Sequence, residues 1–267
     1  LDSEKPDLVV FTGDVVTEAP AKKGWDVVTE PLIKRGIPFA VTLGNHDDEQ
    51  DLSRAEVAKL VASYPHSLFK DTTANVSGYG NYTIAIQGAK NKKVEAVLYC
   101  MDSRSYSKLK QVEGYGWFAQ DQVSWYSNQS KTYTLQNGGK PLPALAFFHI
   151  ALPEYNKAYN TRAIGLRFED ECNPKVNSGM FTAMLEAGDV MGTFVGHDHD
   201  NDYIAWLNGI ALVYGRFTGG KTTYINIENG ARVITLKEGE SSFKSWIHLK
   251  GDRIIQQTEF PKSFIKK

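Results

Sequence analysis

The chain has 267 residues, of which 42% are hydrophobic and 23% are charged, a composition typical of a globular protein that folds without disulfide or metal staples. Its 30 basic and 31 acidic side chains leave a formal net charge of −1, which argues against nucleic acid or an anionic membrane surface as the main partner. No apolar stretch approaches the roughly 20 residues of a membrane-spanning helix. Without a linker, repeat or low-complexity segment, residues 1–267 are interpreted as one domain.

The first part of the chain alternates apolar runs with an amphipathic stretch. Its predicted elements are a strand at 7–12, a helix at 22–35 and a strand at 38–42. Strands joined by such a crossover run parallel, so their carboxyl ends meet at one edge of a sheet. Asp14 and Asn45 are therefore expected to be neighbours in space.

Helices and strands are predicted in the middle of the chain, whereas only short strands are predicted in its last part. Ser53 and Glu56 have the form of a capping box that opens a helix reaching about residue 63. Further elements are predicted as a hairpin at 82–86 and 94–101, a helix at 119–130, a buried strand at 144–148, and a helix at 178–186 that ends near Gly188. Short strands are then predicted at 203–206, 210–214, 223–227, 231–236, 243–249 and 253–259, with a hairpin turn at Asn229-Gly230. The pattern favours a mixed, largely two-layered sheet with flanking helices.

Four short polar segments follow predicted strands. They are Gly13-Asp14, Gly44-Asn45-His46-Asp47, His149 and Gly196-His197-Asp198-His199. Each alone has an ordinary structural interpretation: Gly-Asp is a common turn, and a histidine after two phenylalanines is common in a core. Ligands bind outside the carboxyl ends of the strands in open α/β sheets. The joint occurrence of the four segments therefore indicates a two-metal hydrolase site.

The residue types suit that chemistry. Two cations roughly 3.5–4 Å apart require a bridging anionic side chain, and Asp14 is the candidate. The amide oxygen of Asn45 adds a ligand without further negative charge, and imidazoles suit metals of the Fe, Zn or Mn class. The candidate imidazoles are those of His149, His197 and His199. A hydroxide held between the metals would be available near neutral pH.

His46 is predicted to be catalytic rather than a ligand. It lies one residue beyond a metal ligand, so its imidazole can approach the substrate and stabilise the phosphoryl group or protonate the leaving oxygen. Asp47 either orients His46 or is a solvated carboxylate of the turn.

These segments resemble the calcineurin-like metallophosphoesterases, whose pattern includes Gly-Asp, Gly-Asn-His-Asp/Glu, a lone His and Gly-His-x-His. The resemblance covers about residues 7–200, and the segments 148–155 and 196–202 look most like the small purple-acid-phosphatase-like branch. It implies an α+β fold of four layers, a mixed β-sandwich flanked by helices. It also implies that Asp14 bridges the metals and that His199 binds the first metal. The second metal would be bound by Asn45, His149 and His197.

Two departures from the family pattern matter. The Asp-x-His segment that precedes Gly-Asp is absent, and residue 1 falls after its expected place, so the N-terminal strand is expected to be missing and the first metal site incomplete. Purple acid phosphatases also carry a tyrosine three residues after the bridging aspartate, where this chain has Thr17. The colour of an iron–tyrosinate is therefore not expected.

Residues 215–222 match the P-loop pattern. A P-loop binds phosphate only where it opens a helix, and the alternating pattern that follows here predicts a strand. Nucleotide binding is therefore not expected, although Arg216 or Lys221 remains a candidate contact for substrate phosphate.

The sequence as a whole predicts a metal-dependent phosphoric-ester hydrolase, in the first place a phosphomonoesterase acting on a small phosphorylated substrate or a phosphoprotein. A phosphodiesterase acting on a nucleotide or lipid head group is the alternative within the enzyme class. A binding protein with an incomplete metal site is the alternative outside it. The compartment stays open, with a secreted or periplasmic location favoured.

Overall fold

A seven-stranded sheet with a different set of elements on each face organises the fold. The computed structural model describes residues 1–71, 75–219 and 226–265. Its elements are, in chain order, β1 (Val9–Phe11), α1 (Ala21–Ile33), β2 (Phe39–Val41), α2 (Arg54–Ser63), β3 (Tyr82–Gln87), β4 (Val94–Cys100), α3 (Gln120–Gln136), β5 (Ala144–Phe147), α4 (Glu154–Tyr159), β6 (Ala163–Ile164), α5 (Met180–Ala187), β7 (Val190–Val195), β8 (Ile204–Leu207), β9 (Ile210–Tyr214), β10 (Gly230–Leu236), β11 (Phe243–Leu249) and β12 (Arg253–Phe260). Within these ranges, no helix is both long enough and apolar enough to cross a bilayer.

The strands form three sheets. The large one has the order β3-β4-β5-β7-β9-β8-β6, and β4, β5, β7 and β9 run parallel, so their carboxyl ends share one edge. β1 and β2 form a parallel pair in which Val9 lies opposite Phe39, which confirms the predicted crossover unit. β10, β11 and β12 form an antiparallel sheet. The predicted mixed sheets with flanking helices are thereby confirmed.

The core divides according to the two faces of the large sheet. Along β4, Leu98 and Cys100 join one apolar cluster and Val97 and Tyr99 join the other, as the two-residue repeat of a strand requires. The first cluster also contains buried side chains of the two smaller sheets and of α1 and α2. The second contains those of α3, α4 and α5. The result is four layers, with the two sheet layers between helices.

Local sequence features explain several boundaries. The predicted capping box is present at the start of α2, where the backbone N–H of Ser53 donates to Glu56 Oε2 at 2.8 Å. α5 ends next to Gly188, as predicted, and Gly188 adopts the left-handed conformation. The predicted hairpin is formed by β3 and β4. α3 extends to Gln136, six residues beyond its predicted end, and α4 was not predicted. Most of the predicted strand at 223–227 lies outside the described residues.

Candidate metal centre

Loops that follow β1, β2, β5 and β7 bring predicted site residues together. One ligand atom from each of Asp14, His149 and His197 lies within 4.8 Å of the others. The buried side chain of Asn45 joins them, since its Oδ1 lies 3.2 Å from His149 Nε2. His199 is half-buried on the same loop as His197 but lies outside this group. We refer to Asp14, Asn45, His149 and His197 as the ligand cluster.

The tautomer of His149 shows what the ligand cluster can bind. Its Nδ1 lies 2.6 Å from the carbonyl oxygen of Thr12, which can only accept, so Nδ1 carries a proton. In the neutral ring, Nε2 then presents a lone pair, and it lies 3.0 Å from Asp14 Oδ2 and 3.2 Å from His197 Nδ1. Asp14 Oδ2 is buried and faces this Nε2 atom. Carboxylate, amide and imidazole acceptors that converge in this way fit a metal of the Zn, Fe or Mn class.

The protonation states in the cluster are set by burial and by neighbouring charges. Burial opposes ionisation of Asp14, but the His149 imidazole and the His46 N–H hold the pKa of Asp14 well below its ordinary value. Burial alone would lower the pKa of His149, but the Asp14 carboxylate raises it above 6.5. Burial and the charge of His149 lower the pKa of His197 to about 3, so His197 is neutral and can act as a ligand.

Asp47 joins the loops after β1 and β2. Its carboxylate is fully buried and accepts backbone N–H groups of Asp14 (2.9 Å), Val15 (2.8 Å), Val16 (3.1 Å) and Gly44 (2.7 Å). Both interpretations made from the sequence are therefore wrong, since Asp47 is neither solvated nor directed at His46. These four hydrogen bonds join the two irregular loops through the Asp47 carboxylate, and they fix the backbone position of Asp14.

Replacing Asp47 is expected to destabilise the fold. Asp47→Ala leaves four backbone N–H groups without their acceptor, and each buried donor without a partner costs about 1–3 kcal/mol. Because water can reach part of this loop, we expect the free energy of unfolding to fall by about 4 kcal/mol, measured by urea denaturation. Glu18→Ala, an exposed change in the same loop, is the control and should shift it by less than about 0.5 kcal/mol. A loss equal to that of the control would contradict this role.

Arg54, the first residue of α2, fixes the loop from its other side. Its guanidinium pairs with the buried Asp102 at 2.6 Å and with Asp48 at 2.7 Å, and it also donates to the carbonyl oxygens of Leu43 and Gly44. Asp102 follows β4 at the same sheet edge. Sequence reasoning missed this clamp because Arg54 lies between Ser53 and Glu56 and was considered only as a position within their capping box.

His46 lies beside the ligand cluster and its ring has a partner of its own. Its side chain is 40% exposed, and its Nδ1 lies 2.5 Å from Glu49 Oε2. Its backbone N–H donates to Asp14 Oδ1 at 2.8 Å, which ties the loop to the ligand cluster. Glu49 was not identified from the sequence, although an acidic residue three positions after a candidate catalytic histidine could have suggested it.

The loop after β7 holds His197 in an unusual conformation. His197 has a φ of 72°, in the left-handed region that non-glycine residues rarely adopt and that is often found at functional sites. The carboxylate of Asp198 anchors this loop by accepting the Tyr214 hydroxyl and the Cys172 backbone N–H. Burial raises the pKa of Asp198 to about 6.

The candidate phosphate contacts after β9 have a different position. The buried guanidinium of Arg216 pairs with Asp202 at 2.7 Å, and Gln256 also donates to that carboxylate. Arg216 is therefore occupied by Asp202, a carboxylate that also accepts from Gln256 of β12 in the antiparallel sheet. Lys221 lies outside the described residues, and the described part of the P-loop match, 215–219, is irregular.

Two glycines allow the loops to approach each other. A Cβ on Gly13, which has a φ of 90°, would lie 2.4 Å from His149 Nδ1. A Cβ on Gly44 would lie 2.2 Å from Asp14 Oδ1. Both positions require glycine because any side chain would displace a member of the ligand cluster.

The chain is similar to proteins that are named as phosphoesterases or phosphatases. Residues 1–201 match the calcineurin-like phosphoesterase family. The chain is 37% identical over 243 residues to Probable inactive purple acid phosphatase 14 of Arabidopsis thaliana, covering 81% of this chain and 59% of that protein. It is 34% identical over 277 residues to Phosphatase DCR2 of Saccharomyces cerevisiae, covering 94% of this chain and 47% of that protein. The chain thus spans about half to three-fifths of the length of these relatives.

A solved structure shares the fold. The crystal structure of a dimetal phosphatase from Danio rerio matches with a TM-score of 0.64 and 12% sequence identity, covering 96% of this chain and 84% of that one. At this identity the likeness supports the arrangement of sheets and helices and leaves the chemistry to the residues of the site.

Proposed function

Because this chain belongs to the calcineurin-like phosphoesterase family, we propose that it is a metal-dependent hydrolase of phosphoric esters, and in the first place of phosphomonoesters. The observation that carries the proposal is the ligand cluster, in which a buried carboxylate oxygen of Asp14 lies 3.0 Å from the Nε2 atom of His149. A buried acceptor of this kind is costly unless a proton or a cation satisfies it.

A two-metal site of this kind would draw on Asp14, Asn45, His149, His197 and His199. The ligand cluster would hold one metal, and Asp14 and His199 would contribute to the other. When bound, metals of the Fe, Zn or Mn class supply Lewis acidity toward a phosphoryl oxygen and a water of lowered pKa. The Thr12 carbonyl keeps the proton of His149 on Nδ1, so that Nε2 remains free to bind.

His46, whose imidazole is partly exposed, is the proposed proton donor. Its contact with Glu49 orients the ring and leaves Nε2 as the atom that can donate a proton to the leaving oxygen of the substrate. The backbone N–H of His46 donates to Asp14 Oδ1 and so holds the backbone of His46 next to the ligand cluster.

Metal analysis and an activity panel test the proposal together. Purified protein should contain or take up Zn²⁺, Mn²⁺ or iron and should hydrolyse phosphomonoesters faster than phosphodiesters. Faster diester hydrolysis would replace the monoester assignment with the diesterase alternative. The variant His149→Ala should lose both metal and turnover, because it removes the central imidazole of the cluster. Protein that takes up no metal and shows no metal-dependent turnover would overturn the proposal.

Metal affinity is expected to fall as the pH is lowered. The Asp14 carboxylate raises the pKa of His149, so a proton competes with the cation for Nε2 below that pKa. The pKa of His197 is about 3, so this ring stays neutral and adds no second proton. We expect the dissociation constant for Mn²⁺, measured by titration calorimetry, to rise about tenfold per pH unit in the acidic range and to level off above it. An affinity that is constant from pH 5 to pH 8 would contradict this coupling.

A non-catalytic binding protein is the second candidate. The name of the Arabidopsis thaliana relative includes the word inactive, which favours this alternative. It predicts metal uptake and tight binding of inorganic phosphate without turnover of any ester in the panel. Metal-dependent turnover that is lost in His149→Ala would exclude it.

A further inference from the structure

The chain between β4 and α3 forms a hairpin beside the ligand cluster. We call residues 105–116 the tyrosine hairpin. The backbone N–H of Ser107 donates to the carbonyl oxygen of Gly114 at 2.8 Å, and that of Gly116 donates to Ser105 at 2.7 Å. Tyr106 and Tyr115 face each other in an antiparallel bridge at its base.

Both tyrosines contact members of the ligand cluster. The ring of Tyr115 meets that of His197 edge to face, with centroids 4.5 Å apart and an angle of 89° between the planes. The hydroxyl of Tyr106 lies 3.5 Å from Asn45 Nδ2. The rings of Tyr106 and Tyr115 stack on each other with centroids 5.4 Å apart and planes 21° apart. The hairpin therefore places a two-ring surface at the rim of the candidate site.

This surface is open to ligands. Tyr106 is 48% exposed, whereas the core tyrosines Tyr99 and Tyr126 are fully buried. Tyr115 covers Tyr106 on one side, and in the described part of the chain no other ring stacks on Tyr106. Ligand sites commonly combine aromatic side chains with a small number of convergent polar groups.

We propose that Tyr106 and Tyr115 form an aromatic wall that selects phosphoesters whose leaving group carries a planar aromatic ring. The inference rests on the proposed function, since the ligand cluster would bind the phosphoryl end of the same molecule. Aromatic rings favour offset stacking at centroid distances of 4.5–7 Å, and the exposed part of Tyr106 allows a third ring to join the pair. A saturated leaving group of equal bulk lacks this geometry.

Binding of non-hydrolysable phosphonates tests the wall without relying on turnover. Phenylphosphonate, cyclohexylphosphonate and methylphosphonate are compared at a pH at which all three are dianions, so that they differ in the group attached to phosphorus. In Mn²⁺-containing buffer we expect the full chain to bind phenylphosphonate about tenfold more tightly than cyclohexylphosphonate, measured by titration calorimetry. Equal affinities for these two ligands, or no binding of phenylphosphonate, would overturn the inference.

Variants separate stacking from a structural role of Tyr106. Tyr106→Leu removes the ring, so the phenyl preference should fall to less than about threefold. Tyr106→Phe keeps the ring and loses the hydroxyl near Asn45, so the preference should persist. The matched control is Leu109→Ala at the exposed tip of the hairpin, which should leave the preference unchanged. A phenyl preference that persists in Tyr106→Leu, or one that is lost in Tyr106→Phe, would contradict the proposal of an aromatic wall.

The same measurements distinguish failure of this inference from failure of the proposed function. If the protein shows the phenyl preference but hydrolyses no ester, the aromatic wall is supported and the proposed catalytic function is rejected. If the protein hydrolyses esters but shows no phenyl preference, the proposed catalytic function is supported and the aromatic wall is rejected.

Discussion

Asp14→Asn is expected to reduce metal-dependent turnover strongly while the fold is preserved. The change keeps the shape of the side chain, and Oδ1 can still accept the backbone N–H of His46. Asparagine also tolerates the φ of 50° found at this position. What is lost is the negative charge beside His149, which offsets the charge of a bound cation. Because a metal supplies several kcal/mol of transition-state stabilisation, we expect kcat/KM to fall by about 10³-fold.

The control for this change is a carboxylate on the surface. Asp26 on α1 pairs with Lys22 at 2.8 Å, and Asp26→Asn removes the same charge outside the described site loops. It should leave metal content and kcat/KM within about twofold, since exposed ion pairs contribute little. Metal content and turnover that remain at the unmodified level in Asp14→Asn would show that the convergence of the four loops has no catalytic meaning.

The position of the site could be predicted because it follows from topology. Parallel strands bring their carboxyl ends to one edge, and the predicted crossover between β1 and β2 is sufficient to make Asp14 and Asn45 neighbours. β5 and β7 are also parallel neighbours, so His149 and His197 follow adjacent strands. An apolar run that ends in a polar residue therefore predicts both a strand and the residue that lies at its carboxyl end.

The supporting contacts could not be predicted in the same way. Asp47 could have been a surface carboxylate, and only the approach of two loops makes it an acceptor for four N–H groups. Arg54 lies ten residues after Gly44 and contacts its carbonyl oxygen through tertiary packing. Such contacts depend on loop conformations for which the sequence offers no periodic pattern.

The C-terminal end of α3 could not be predicted from the sequence, for a different reason. The helix was predicted to end at residue 130, but it continues through Thr132 and Thr134 to Gln136. Threonine has a low helix propensity, although packing of a helix against the rest of the protein can override it. On this helix, Tyr126 donates from its buried hydroxyl to Asp189, and Tyr133 packs against the core formed with α4 and α5. The sequence therefore predicts that a helix exists here better than it predicts where the helix ends.

His46→Asn is expected to slow turnover without removing the metals. The imidazole lies outside the ligand cluster and is 40% exposed, so its loss does not remove a ligand atom of the cluster. The backbone N–H that donates to Asp14 is retained in the variant. Loss of a positioned proton donor typically reduces the rate by about 10²–10⁴-fold, and we expect kcat to fall within this range. The effect should be smaller for 4-nitrophenyl phosphate than for an alkyl phosphate, since a good leaving group needs less protonation.

His66→Asn is the matched control for this change. His66 is exposed and has a φ of 65°, which asparagine tolerates, and its carbonyl oxygen can still accept the backbone N–H of Phe39. Its kcat should therefore stay within about twofold of the unmodified protein. If His46→Asn instead loses metal along with activity, the imidazole belongs among the ligands. If His46→Asn slows both phosphates equally, it does not protonate the leaving oxygen, and a role in stabilising the phosphoryl group is favoured.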